Sequence, residues 1–96
     1  MPAPKQLISY QVSTSMGGDG TIEAIYVRFA NGKVAETREL DEDILLADYD
    51  ANGVLLGIEI LAPVKISRLA RLVDQDKRRP FRKAMRNAAP PAFVLA

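Results

Sequence analysis

Apolar positions follow two different periods along this chain. From Leu7 to Leu61 they alternate with polar residues or fall in short runs, whereas beyond Val64 they recur every three or four residues. Period two puts successive side chains on opposite faces of a strand, and a period near 3.6 gathers them on one face of a helix. The pattern predicts strands over residues 7–12, 22–30, 33–40, 44–49 and 54–61. The breaks between them carry turn chemistry: Gly17, Gly18 and Gly20, then Asn31-Gly32, Asp41-Glu42-Asp43 and Asn52-Gly53. Asn-Gly between two strand-like runs favours a type I′ hairpin, in which both central residues need positive φ. Placed at Asn31-Gly32, that turn sets Phe29 opposite Val34, Val27 opposite Glu36 and Ile25 opposite Arg38.

Polarity then ranks the strands. Residues 33–40 offer a core only Val34, Ala35 and Leu40, so this strand belongs at a sheet edge. Residues 7–12 have no cleanly apolar face and suit an edge as well, and 13–20 read as a flexible connection. The run 54–61 is apolar on nearly both sides and should be central. After Pro63, Ile66, Leu69, Ala70 and Val73 mark an amphipathic helix over 64–75. Pro80 interrupts the pattern, and Phe81, Ala84, Met85 and Ala88 form a weaker second helix before Pro90-Pro91 and the apolar end Ala92–Ala96. The expected fold is therefore α+β: a small antiparallel β-meander of four or five strands, with a C-terminal helix packed on the sheet and a basic tail. The chain divides into residues 1–20 (strand and loop), 21–62 (meander) and 63–96 (helix and tail). One short helix covers one sheet face, so a homodimer burying the other is expected.

Composition removes several kinds of chemistry. The 96 residues include no cysteine and no histidine, so disulfides, thiolate chemistry, the usual general base and the commonest metal ligand are all missing. No catalytic constellation is present, and the expectation is a protein that is not an enzyme and uses no cofactor. No apolar run reaches membrane-spanning length, the first residues lack a signal-peptide pattern, and a cytoplasmic location is expected. Charge is unevenly divided. Residues 1–63 carry four basic against ten acidic side chains, net −6, and residues 64–96 carry nine basic against two acidic, net +7.

Three constellations offer chemistry. Asp48, Asp50, Asn52, Gly53 and Glu59 fit the spacing of an EF-hand calcium loop, with Leu55 at its apolar position. That loop needs a helix on either side, whereas Val54, Ile58 and Ile60 favour strand, so a hairpin turn is the expected structure and no metal is expected. Glu39, Asp41, Glu42 and Asp43 form an acidic cluster suited to a solvated loop or to a basic partner, and Glu36 and Glu59 are a carboxylate pair without a supporting base. Arg68, Arg71, Arg78, Arg79, Arg82, Lys83 and Arg86 recur at helix-like spacing and suit phosphate or partner contact. Phe81 is the single aromatic among them, so base stacking is not supported.

Glu23–Arg28, Val34–Glu39, Asp48-Tyr49-Asp50 with Gly53, and Gly57–Leu61 together resemble domain-of-unknown-function family 2283 (DUF2283), small and mostly bacterial proteins. The resemblance covers about residues 21–62. The connection over 13–20 and the segment after Leu61 are longer than the family's usual form. Some members resemble the smaller partner in toxin–antitoxin-like gene pairs, which implies an antitoxin-like role against a small basic toxin. The other readings are a nucleic-acid-binding protein acting through its basic segment and a structural homo-oligomer.

Overall fold

The computed structural model describes residues 9–96. Five strands form one antiparallel sheet: β1 (Gln11–Met16), β2 (Ile22–Arg28), β3 (Glu36–Asp41), β4 (Leu45–Tyr49) and β5 (Leu55–Ile60). They are followed by β6 (Val64–Lys65), α1 (Ile66–Ala70), a 3₁₀ turn at Gln75–Lys77, α2 (Arg78–Ala88) and β7 (Val94–Leu95). The α+β class and the helix-covered antiparallel sheet agree with the sequence reading, and β5 is central with β3 at an edge.

The connectivity differs from a meander. Strand order is β1-β2-β5-β4-β3, so β2 pairs with β5 and the chain crosses to the far edge before returning. Three hairpin-linked strands with a fourth laid beside the returning end form a Greek key. Asn31-Gly32 is therefore no hairpin turn, and Gly32 lacks the positive φ that Gly20 and Gly53 show. Burial decides the pairing. Next to β5, β2 sets Ile25 against Ile60 and Val27 against Ile58, all four buried. Next to β3 it would have met Glu36 and Arg38. Cross-strand β-branched pairs that also lose contact with water outweigh the preference of one turn dipeptide.

The first strand also lies later than its hydrophobicity suggests. Gln11–Met16 pairs along β2 from Gln11 opposite Arg28 to Met16 opposite Ile22, so the first half of the expected loop 13–20 is strand. The turn is confined to Gly17–Thr21 and closed by the Gly17 N–H donating to the Thr21 carbonyl at 2.8 Å. Leu7 and Ile8, the expected start of this strand, lie outside the described residues.

Residues 63–96 are not a free tail. Ile66 and Leu69 of α1, Phe81 and Met85 of α2, and Phe93 and Val94 share one apolar cluster with Ile25, Val27, Leu45, Ala47, Ile58 and Ile60 of the sheet. The helix expected over 64–75 is only the five residues of α1, because Val64 and Lys65 pair in parallel with Val94 and Leu95. The second helix is the longer one, and Pro80 sits in its first turn, where no intrahelical N–H is needed. Phe81 stacks on Phe29 at 5.6 Å between centroids and meets Tyr10 edge-on at 5.5 Å, which fastens α2 to the β1–β2 side of the sheet.

The opposite face of the sheet is polar. Gln11, Ser13 and Ser15 of β1 adjoin Ala24, Tyr26 and Arg28 of β2, followed by Gly57 and Glu59 of β5 and Asp48 of β4. A bulge where Tyr49 meets Leu55 reverses β5, turning Leu55 toward the core and leaving Leu56 buried against Gly32 of the crossover. Leu46 of β4 also lies on this face beside Glu59, but its described neighbours there are mostly polar, so the face offers little apolar surface for a homodimer to bury.

Candidate nucleic-acid interface

Helix α2 separates its residues sharply by side. At 100° per residue, Phe81, Ala84, Met85 and Ala88 fall within about 100° of arc, and Arg79, Arg82, Lys83 and Arg86 fall within another such arc on the opposite side. Phe81 and Met85 are buried, Ala84 packs against the core, and Arg79, Lys83 and Arg86 are exposed with Arg82 half-buried. Fixing one face in the core fixes the direction of the other. None of these four cations makes an ion pair or side-chain hydrogen bond with the described residues. The two acidic residues after Pro63, Asp74 and Asp76, both precede the helix.

The remaining arginines of the basic segment have other positions. Arg68 pairs with Asp41 across the layers, its Nε 3.2 Å from Asp41 Oδ2. Arg78 donates from Nε to the carbonyls of Ala70 and Val73 at 3.1 and 3.3 Å, satisfying acceptors at the end of α1. Arg71 is exposed at the C-cap of α1, on another element. Of seven candidates the fold thus gathers four, and it uses Arg68 and Arg78 to hold its own layers together. Helical spacing alone did not distinguish these roles, because the partners of Arg68 and Arg78 come from the sheet and from the preceding helix.

The acidic candidates divide in the same way. Asp41 is held by Arg68, and Glu39 accepts from the Asp43 N–H at 3.1 Å in the β3–β4 turn, where Asp43 takes φ 60°. Glu36 accepts two hydrogen bonds from Arg38 at 2.9 and 3.0 Å, which lowers the Glu36 pKa and raises that of Arg38. Strand β4 lies between Glu36 and Glu59, so the structure does not bring that pair together.

The EF-hand spacing belongs to the β4–β5 hairpin. Asp50 Oδ1 accepts the N–H groups of Asn52 and Val54 at 2.9 Å each, the Gly53 N–H donates to the Asp50 carbonyl at 3.1 Å, and Gly53 has φ 79°. This is a three-residue hairpin loop ending in a left-handed glycine. Asp48 points elsewhere: its carboxylate accepts from Tyr26 Oη at 2.9 Å and Thr37 Oγ1 at 2.6 Å. Glu59 is across the sheet at Tyr26. No group of three or more acidic side chains is placed to hold a metal among the described residues.

Sequence spacing gave no sign of the Tyr26–Asp48–Thr37 cluster, which spans β2, β4 and β3 across the intervening β5. Gly57 makes it possible, since the Tyr26 ring lies over the position a Cβ would occupy. Burial raises the Tyr26 pKa first, and the hydrogen bond to Asp48 raises it further. A phenol held protonated between carboxylates is poorly suited to act as a base, and it serves here as a tie between strands.

The Greek key made by β2–β5 is the part of the chain with recognisable relatives. Residues 19–62 match the family described as Protein of unknown function (DUF2283). Over that stretch the chain is similar to this family. Its match covers the four strands, the crossover and both hairpin turns, and it includes every residue of the Tyr26–Asp48–Thr37 tie with Gly57. Helix α2 and its cationic face lie outside the matched residues. No curated protein and no solved structure matches the chain significantly.

Proposed function

We propose that this protein is a non-enzymatic binding module that uses the outer face of α2 to engage the phosphate backbone of nucleic acid. The observation that carries this reading is the convergence of Arg79, Arg82, Lys83 and Arg86 on one surface, without ion-pair partners among the described residues, on a helix held by Phe81 and Met85. Seven residues separate the first and last cation, about 10 Å of helix. A duplex strand rises ~3.4 Å per phosphate, so such a stripe spans about three phosphates. With no aromatic on this face for stacking, recognition is electrostatic and independent of base sequence. The acidic β3–β4 turn gives less support to a basic protein partner, because Asp41 and Glu39 already have partners within the fold.

The test is fluorescence anisotropy with two labelled duplexes of unrelated sequence. The wild type should bind both alike at low salt. Replacing Arg79, Arg82, Lys83 and Arg86 with alanine should abolish binding while the circular dichroism stays unchanged. A strong preference for one duplex, or full binding by the variant, would overturn the reading.

A further inference from the structure

Where α2 ends, the chain leaves a recess that phosphate binding does not use. Pro90-Pro91 stops the helix, and the N–H groups of Phe93 and Val94 donate back to the Pro90 carbonyl at 3.0 Å each. That turn brings Val94 beside Val64 in the parallel β6–β7 pair. Between the pair and the last turns of α2 lies a hollow of about 270 Å³. Its walls include Ile66, Met85, Ala89 and Val94, each more than nine-tenths buried, with the more exposed Leu95 beside them. One charged side chain lines the hollow, Arg86, and no acidic side chain does. Arg86 is exposed and has no ion-pair partner among the described residues.

An apolar hollow with a single cation at its edge is complementary to a molecule with the same two parts. We propose that the recess binds a medium-chain fatty carboxylate, and that this ligand regulates the phosphate-binding face of α2. The chain enters among Ile66, Met85, Ala89 and Val94, and the carboxylate pairs with Arg86. Size limits the class: pockets for drug-sized ligands run from ~300 Å³ upward, so one short acyl chain fits and a sterol or a two-chain lipid does not. Charge sets the head group, because the guanidinium offers a fork of donors that matches a carboxylate. The C-terminal end of a helix repels a free anion, so an anionic head is acceptable here only through Arg86. The regulatory part rests on the reading of α2 given above. Arg86 is one of its four phosphate contacts, and a carboxylate that holds it withdraws it from the nucleic acid. Such coupling is reciprocal, so bound duplex must weaken the carboxylate by the same factor.

Isothermal titration calorimetry of the full chain with hexanoate and octanoate, in the absence of nucleic acid, tests the recess. Each buried CH₂ strengthens binding about fourfold, so octanoate should bind about fifteenfold more tightly than hexanoate. The chain-matched cation octylammonium should not bind. Arg86→Gln removes the partner of the head group and Ala89→Leu fills the hollow, so each should lose octanoate binding with unchanged circular dichroism. Duplex anisotropy tests the regulation. Saturating octanoate should reduce the wild-type salt slope by about 0.9, the share of one contact, and leave Ala89→Leu, which keeps all four cations, unaffected. No saturable octanoate binding, or equal affinity for octylammonium, overturns the inference whatever the duplex does. Octanoate that binds without weakening the duplex overturns the regulatory part. A wild type that binds no duplex in the absence of octanoate overturns the phosphate-binding reading and the regulation with it, while the calorimetry still decides the recess.

Discussion

Replacing Gly57 with alanine tests how the sheet's open face is held. Gly57 is buried, and a Cβ at this position would lie 2.5 Å from Tyr26 Cζ and 2.9 Å from Cε1. No side-chain carbon tolerates such contacts, so the Tyr26 ring must swing away. Its hydroxyl donates to Asp48 at 2.9 Å and loses that bond when it moves. A hydrogen bond to a charged group contributes about 1.5–3 kcal/mol. Alanine restores about 0.5–1 kcal/mol by limiting the unfolded chain's freedom at this position. The net cost is about 1–2 kcal/mol, which in a domain this size lowers Tm by about 4–16 °C. Thermal melts followed by circular dichroism measure this directly. The decisive control is Gly57→Ala in a Tyr26→Ala background. With the ring gone the three nearest contacts of the added methyl are removed, and the substitution should be neutral or slightly stabilising, giving a coupling well above experimental error. Equal costs in both backgrounds would refute the argument, because the ring would then not be what Gly57 accommodates.

Three other outcomes follow from the same geometry. Phe81→Ala removes the ring that joins α2 to Tyr10 and Phe29 and should cost about 3–5 kcal/mol. Helix and sheet signals should be lost in one transition, and a sheet that survives loss of the helix would show that the two halves are separable. Gly53→Ala places a side chain at φ 79° and should cost about 1 kcal/mol by chemical denaturation, with no change in calcium response. Tyr10 and Tyr26 both have pKa values raised above 10, chiefly by burial. The unfolded chain therefore gives up these protons first, so their contribution is complete below pH ~10 and declines as pH rises through the folded-state values. Absorbance titration should show Tyr26→Phe removing one of the late-titrating phenols.

Much of the sheet is legible in the sequence because burial writes itself into alternation. Ile58 and Ile60 mark a central strand, and Glu36, Arg38 and Glu39 mark an edge. Asn52-Gly53 identifies a true turn, since its flanking strands are also partners in the core. Asn31-Gly32 has the same local chemistry and fails as a hairpin because the best apolar partner for β2 is the later strand β5. Local signals cannot express that choice between distant partners. Strand β1 was partly hidden for a related reason: Ser13, Thr14 and Ser15 face water and carry no hydrophobic pattern, and only their pairing with β2 makes them strand. The cationic face was legible as a list but not as a surface. Arg68 and Arg78 have the same spacing as the others, and their partners appear only once the layers are assembled.

The central claim is that the exposed face of α2 binds phosphate through a small, countable set of cations. The most direct measurement is affinity for a duplex of about 20 base pairs as a function of salt, for the wild type and for the variant with Arg79, Arg82, Lys83 and Arg86 replaced by alanine. Each phosphate contact contributes about −0.9 to the slope of log affinity against log salt, so three to four contacts should give a wild-type slope of about −2.7 to −3.6. The variant should show no measurable binding at any salt concentration. A wild type that fails to bind at the lowest salt, or a variant that keeps both affinity and slope, would contradict the account.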